Sequence, residues 1–215
     1  NESLVSLLSM GLELAEQRRA HPQDDLMTKL VQAEIDGRKL TDEELGAFFV
    51  LLSVAGNDTT RNTITFTTMA LQQFPEQKQL LLYDFDKLIG TAIEEFVRWA
   101  SPVMTFRRTV TQDTELRGQR LREGDWVVML YSSGNRDDRV FKDPDVFDIQ
   151  RKPNPHVGFG GGGPHYCMGS FLAKMQLESM FRELLFRAPN LRVGEPTYLA
   201  SNFVRVVKSL PYTLD

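Results

Sequence analysis

Cys167 is the one cysteine of this 215-residue chain, and it ends a glycine-rich run, Phe159-Gly160-Gly161-Gly162-Gly163-Pro164-His165-Tyr166-Cys167-Met168-Gly169. Behind it, Phe171, Leu172, Met175, Met180, Phe181, Leu184 and Leu185 recur at three- and four-residue steps and read as one apolar helix face. A thiol at the start of a helix feels the positive end of the macrodipole and the free N–H groups of the first turn. Both favour the thiolate, the form that attacks electrophiles and binds metals. The glycines allow positive φ and close approach to a flat ligand or to the sulfur. His165, two residues before the cysteine, can supply a hydrogen bond or a positive charge at the same rim. The stretch reads as a binding loop for a thiolate-ligated group. Each part also has a plainer reading: a small buried hydrophobe, a flexible connection and a surface histidine.

Two more constellations carry polar chemistry. Ala55-Gly56-Asn57-Asp58-Thr59-Thr60 places a glycine, an acid and two β-branched alcohols in the middle of a long helical pattern, where they form helix poorly. Their side chains can bond back to carbonyls and open the ladder. That is either a solvated kink or a local widening beside a ligand, with Ala55 and Gly56 allowing close approach. Glu95 and Arg98 are three residues apart and share a helix face; by default such a pair lies on the surface.

The elements that must position these residues are mainly helices. A leucine stripe from Leu4 to Leu14 ends before His21-Pro22, and a second helix opens at Asp24-Asp25 and closes at Gly37. Thr41-Asp42-Glu43-Glu44 is a capping box for a third helix whose apolar pattern runs from Leu45 to Leu71. Its first half is so apolar that burial on most sides is expected. A short helix follows Pro75, and another spans Lys87 to Ala100 before Ser101-Pro102. Beyond Pro102 the pattern turns to β, with strands near Val103–Val110 and Trp126–Leu130 and turns at Arg117-Gly118-Gln119 and Glu123-Gly124-Asp125. Gly134-Asn135-Arg136-Asp137 reads as a structural turn. The tail from Tyr198 to Leu214 reads as a hairpin around Lys208-Ser209-Leu210-Pro211.

Composition narrows the class. Hydrophobic content of 41% and charged content of 25% are ordinary for a soluble globular protein. A net charge of −4 argues against non-specific binding to nucleic acid or an anionic membrane. One cysteine excludes an internal disulfide and a multi-cysteine zinc site. It also fits a reducing, cytoplasmic setting. The longest apolar run, Leu45 to Ala55, is too short to span a bilayer.

Taken together, the motifs resemble the cytochrome P-450 family, over essentially the whole chain and in family order. The cysteine loop is similar to its Phe-x-x-Gly-x-x-x-Cys-x-Gly pattern through Phe159, Gly162, Cys167 and Gly169, with one residue more than the commonest spacing between Phe159 and Cys167. Ala55-Gly56-Asn57-Asp58-Thr59 resembles the distal-helix motif, and Glu95-x-x-Arg98 the family's Glu-x-x-Arg. Gly134-Asn135-Arg136-Asp137 resembles Ala-Asn-Arg-Asp with glycine for alanine.

The resemblance implies a mainly α chain with small β-sheets (α+β), residues 1–215 forming the C-terminal, haem-binding portion of a single P-450 domain. It implies haem b (iron protoporphyrin IX), with Cys167 as the iron ligand and Arg108 and His165 on the propionates. Phe159, Gly160, Gly162, Gly169, Ala55 and Gly56 would line the haem, and Asp58 and Thr59 would relay protons. Glu95, Arg98 and Arg151 would form a buried structural ion group. Val103, Met104, Phe106, Asn202, Phe203 and Val204 would face the substrate. The implied function is monooxygenation: dioxygen is activated to hydroxylate a hydrophobic small molecule, of lipid, sterol or terpenoid class. Electrons come from a ferredoxin and its NAD(P)H-dependent reductase. The partner expectations are a monomer with neither nucleic acid nor membrane. A second reading is a truncated or non-oxygenase haem protein, a sensor or carrier without turnover.

Overall fold

The computed structural model describes residues 2–214, so both ends of the 1–215 span lie outside it. The chain falls into two compact units, residues up to Asn57 and residues from Asp58 onward, with the boundary inside the long helix α3 (Asp42–Gln73).

The first unit opens with α1 (Glu2–Ala20) and α2 (Leu26–Gln32). Asp25 caps α2, accepting the Thr28 N–H at 2.8 Å, and pairs with Arg18. The Thr28 bond comes first among the causes that hold its carboxyl below the usual range. The second helix does not reach Gly37. It stops at Gln32, and Glu34–Ile35 (β1) pairs antiparallel with Arg38–Lys39 (β2) through a two-residue turn. Asp36 and Gly37 have φ of 53° and 77°, the left-handed pair that a tight hairpin needs and that Asp-Gly supplies. The capping box is formed: Thr41 N–H donates to Glu44 Oε2 at 2.9 Å, and Glu44 N–H donates to Thr41 Oγ1 at 3.2 Å. Ala15, Met27, Val31 and Leu45 make the small core. Gly11 lets α1 approach, since a Cβ there would stand 2.8 Å from the Phe49 side chain. The expected burial of α3's first half on most sides is not found. Leu51 and Val54 are exposed, because within this unit the buried positions of that stretch are confined to Leu45 and Gly46.

The second unit is built on α5 (Phe85–Ala100), which follows α4 (Pro75–Tyr83). Phe85, Leu88, Ile89, Ala92, Ile93, Phe96 and Val97 are buried in one apolar core with Phe147, Ile149 and with Leu177, Phe181 and Leu185 of α7 (Ser170–Arg187). Phe96 is the centre, 4.8 Å from the Phe181 ring and 6.1 Å from that of Phe147. Five two-stranded antiparallel sheets complete the described fold, β1–β2 included. Thr105–Thr109 (β3) pairs with Trp126–Leu130 (β6), which leads into α6 (Tyr131–Gly134). Thr114–Leu116 (β4) pairs with Gln119–Leu121 (β5). The tail is not one hairpin around Lys208–Pro211. Val206–Ser209 (β9) pairs back to Thr197–Leu199 (β8), while Tyr212–Thr213 (β10) pairs with Arg192–Val193 (β7). Leu210-Pro211 redirects the chain, and the Pro211 carbonyl accepts the Gly194 N–H at 2.9 Å. The fold is thus mainly helical with small sheets, as the resemblance implies. No helix among the described residues is long and apolar enough to cross a membrane.

Candidate functional site

Between α6 and α7 the chain runs without regular structure from Asn135 to Gly169, so its backbone polar groups need partners from elsewhere. Three buried side chains provide many of them. Glu95 and Arg98 are fully buried on α5, paired at 2.7 Å through both guanidinium–carboxylate contacts. Arg98 also donates to the carbonyls of Asn135, Pro144 and Val146. Arg151 reaches Glu95 at 3.2 Å and donates to the Lys142, Asp143 and Val146 carbonyls. Glu95 accepts the Asp148 N–H and the Asn154 amide. Asn135 extends the network: its side-chain Oδ1 accepts the Val157 N–H, and its Nδ2 donates to Ser101 Oγ. Asn135, read from the sequence as part of a turn, is a buried junction between the end of α5 and the strand of loop that leads to the cysteine.

That loop closes tightly. Gly160 N–H donates to the Val157 carbonyl, Tyr166 N–H to Gly163, and Cys167 N–H to the Phe159 carbonyl at 2.8 Å. Gly160 and Gly162 have φ of 94° and 98°, and a Cβ on Gly160 would stand 3.4 Å from the His165 carbonyl across the loop. Gly169 has an ordinary φ of −86° and caps α7. Cys167 therefore sits just outside the first turn of α7, half-buried, and Met168 and Phe171, close to it in sequence, are exposed. His165 is exposed on the same loop.

The other candidate residues fall as follows. In β3 and β6, Arg108 pairs in register with Val127 and Arg107 with Val128, so their side chains alternate in direction. Arg107 stacks 3.9 Å over Trp126. Arg108 donates to the Arg107 carbonyl and lies over the Phe106 ring, with no carboxylate partner among the described residues. The two expected substrate-facing segments meet: Val103 bridges Val204, Met104 N–H donates to the Phe203 carbonyl, and Thr105 Oγ1 to that of Asn202. The Phe106 ring packs edge-on against Phe203 at 5.3 Å and against Tyr131 at 6.1 Å.

α3 is α-helical without interruption from Asp42 to Gln73, so the ladder is not opened at Ala55–Thr60, where the sequence allowed either a solvated kink or a local widening. Side chains do bond back, Asn62 to the Asp58 carbonyl at 2.7 Å and Thr63 to that of Thr59 at 2.8 Å. A carbonyl has two lone pairs and accepts these without giving up its helical bond. Ala55 and Gly56 are exposed, and nothing lies within 4 Å of a Cβ built on Gly56. Asp58 pairs with Arg61 at 2.8 Å on a half-exposed face. Asn62 was not singled out from the sequence, yet it is buried and its Oδ1 accepts the Val207 N–H, which ties the Asp58-Thr59 turn to β9.

The donor set suits haem iron. Among the described residues no group of three or more His, Cys, Asp and Glu side chains could hold a metal ion. A lone cysteine sulfur is too few ligands for a bare cation, but is what an iron already held by a porphyrin requires.

The family model described as cytochrome P450 matches residues 10–188. The chain is 51% identical over 201 residues to the methyl-branched lipid omega-hydroxylase of Mycobacterium tuberculosis, covering 93% of this chain and 47% of that protein. It is 45% identical over 207 residues to the steroid C26-monooxygenase of Mycolicibacterium smegmatis, covering 96% of this chain and 48% of the relative. Among solved structures, a Mycobacterium marinum cytochrome P450 in complex with pseudoionone superposes with a TM-score of 0.94 at 54% identity, covering 97% of this chain and 50% of that one. The chain thus spans about half the length of the curated relatives it matches. It belongs to the cytochrome P450 family.

Proposed function

We propose that this chain is the C-terminal, haem-anchoring portion of a single P450 domain whose full-length form hydroxylates a hydrophobic small molecule of lipid or steroid class. The observation that carries the reading is the cysteine loop, in which the Phe159 carbonyl accepts the Cys167 backbone N–H and sets one thiol just ahead of α7, with the exposed apolar Met168 and Phe171 close in sequence. Cys167 would bind the iron of haem b, and the thiolate-ligated haem supplies the activation of dioxygen. Arg108, which has no carboxylate partner among the described residues, and exposed His165 would pair with the propionates. Phe159, Gly160, Gly162 and Gly169 on the loop would lie along the ring. Asp58 and Thr59 would hold and move the protons that the reaction consumes, which requires the Asp58–Arg61 pair to open. Val103, Met104, Phe106, Asn202, Phe203 and Val204 would form one wall of the substrate pocket. The substrate class is drawn from the names of the two curated relatives and from the apolar character of that wall. A ferredoxin with its NAD(P)H-dependent reductase would supply the electrons to a monomeric protein.

The test is the absorption spectrum of the reduced, CO-treated protein, on this chain and on a full-length parent. A strongly red-shifted Soret band in the parent, lost in Cys167→Ala, is expected. A parent that binds no haem overturns the reading.

A further inference from the structure

Glu94, the residue before the ion-pair glutamate, is the centre of a second charged cluster that no expected role uses. Its Oε2 lies 2.8 Å from His156 Nε2 and its Oε1 2.5 Å from Lys174 Nζ. The His156 side chain is 4% exposed, and its Nδ1 accepts the Gly158 N–H at 3.1 Å. An acceptor at Nδ1 places the proton on Nε2, where it is donated to Glu94. The His156 bond, foremost, and then Lys174 hold the Glu94 carboxyl at about 2, against a desolvation that pushes upward.

Both partners of Glu94 flank one ring. The imidazole centroid is 5.8 Å from that of Phe159, and Lys174 Nζ is 5.3 Å from the same ring. The Phe159 carbonyl in turn accepts the Cys167 N–H. The strip of loop between them is pressed onto α5, since a Cβ on Gly158 would stand 2.5 Å from Val97 Cγ1. So α5 contributes Glu94, α7 contributes Lys174, and the loop contributes His156, all meeting around the aromatic residue that orients the cysteine backbone.

We infer that Glu94, His156 and Lys174 form a clamp that positions the cysteine loop: they hold the Phe159 ring, and through its carbonyl the direction in which Cys167 presents its sulfur. All three are positioning residues. The clamp deepens the haem-thiolate reading and rests on it for the identity of the ligand, but its grip on Cys167 is a property of the polypeptide. A carboxylate shared by a lysine and a histidine N–H suits this task, because losing either partner leaves one oxygen of a half-buried carboxylate without its donor.

The test is amide hydrogen exchange of the full chain, comparing the Cys167 N–H with the core amides of Phe96 and Val97, in Glu94→Gln, Lys174→Met and Lys174→Arg. The expected result is exchange at Cys167 faster by about tenfold or more in Glu94→Gln and Lys174→Met, in excess of any change at the core amides, with Lys174→Arg close to the parent. Because the chain has one cysteine, the rate of its alkylation by iodoacetamide reports the same loosening independently. Exchange that rises equally at Cys167 and in α5, or not at all, overturns the clamp. In the full-length holoprotein the same two variants should lower the share of the red-shifted CO-bound Soret band. If the parent itself binds no haem, that spectrum refutes the haem reading, while the exchange experiment still decides the clamp.

Discussion

Glu95 and Arg98 show how far one contact can depend on its surroundings. On a helix surface the same pair would be worth a few tenths of a kcal/mol. Here both are fully buried, and the guanidinium spends its remaining donors on three loop carbonyls. Arg98→Met would strip buried Glu95 of its nearer guanidinium, leaving Arg151 alone beside it, and take the donor from the Asn135 and Pro144 carbonyls, so a loss of about 3–5 kcal/mol in urea unfolding is expected. Asn135→Ala removes both the acceptor for Val157 N–H and the donor to Ser101 Oγ, with an expected cost of about 1–3 kcal/mol in the same measurement. Glu94 adds a pH dependence. Its folded pKa, about 2, lies below the ordinary carboxylate value, so the unfolded chain binds the extra proton first as acid is added. Its stabilising contribution is therefore complete above the ordinary carboxylate range and is lost as pH falls from there through about 2. Glu94→Gln should flatten the acid limb of a Tm-against-pH curve over that window; an unchanged limb would refute the assignment.

At the scale of elements, local chemistry decides the ends and tertiary pairing decides the partners. The reciprocal Thr41–Glu44 bonds start α3, and Thr41→Ala should cost about 1 kcal/mol by thermal unfolding. The Asp36-Gly37 turn is equally local, and it was within reach of the sequence, since Asp-Gly between short polar strands is a hairpin signal. Reading Gly37 as a helix stop overlooked that glycine serves both purposes through the same positive φ. Gly37→Val should destabilise the turn and loosen β1–β2, seen as faster amide exchange at Ile35 and Arg38 with the α5 core unchanged. The tail was harder. Nothing in Val206–Thr213 says that its two strands pair with β8 and β7 and not with each other, because the partners are defined by which edges lie free nearby.

For the whole molecule, the second unit gathers its core around α5, and Phe96 contacts aromatic rings from the loop and from α7 at once. Phe96→Ala should cost about 3–5 kcal/mol and soften the cysteine loop with it, measured by urea unfolding and by alkylation of Cys167. The apolar wall from Val103 to Phe106 and Asn202 to Val204 joins segments about a hundred residues apart. On the proposed function, Phe203→Ala in the full-length protein should weaken lipid or steroid binding by about 1–3 kcal/mol in a substrate titration, with little change in unfolding of this half.

Family membership was legible in the residue order because its signatures are local. A thiol behind glycines, an acid three residues before an arginine, and an acid beside an alcohol are each recognisable within a few residues of sequence. What only the tertiary structure decided are the contacts made across long stretches of chain. Glu94 meets His156 and Lys174 over separations of 62 and 80 residues, and Asn62 meets Val207 over 145. No periodicity marks such pairs, since each residue is ordinary in its own segment and acquires its role when burial removes water and leaves the other as its partner. The same reason explains the α3 readings: apolar runs predict that a helix will form, but which of its faces are covered depends on the elements that fold against it.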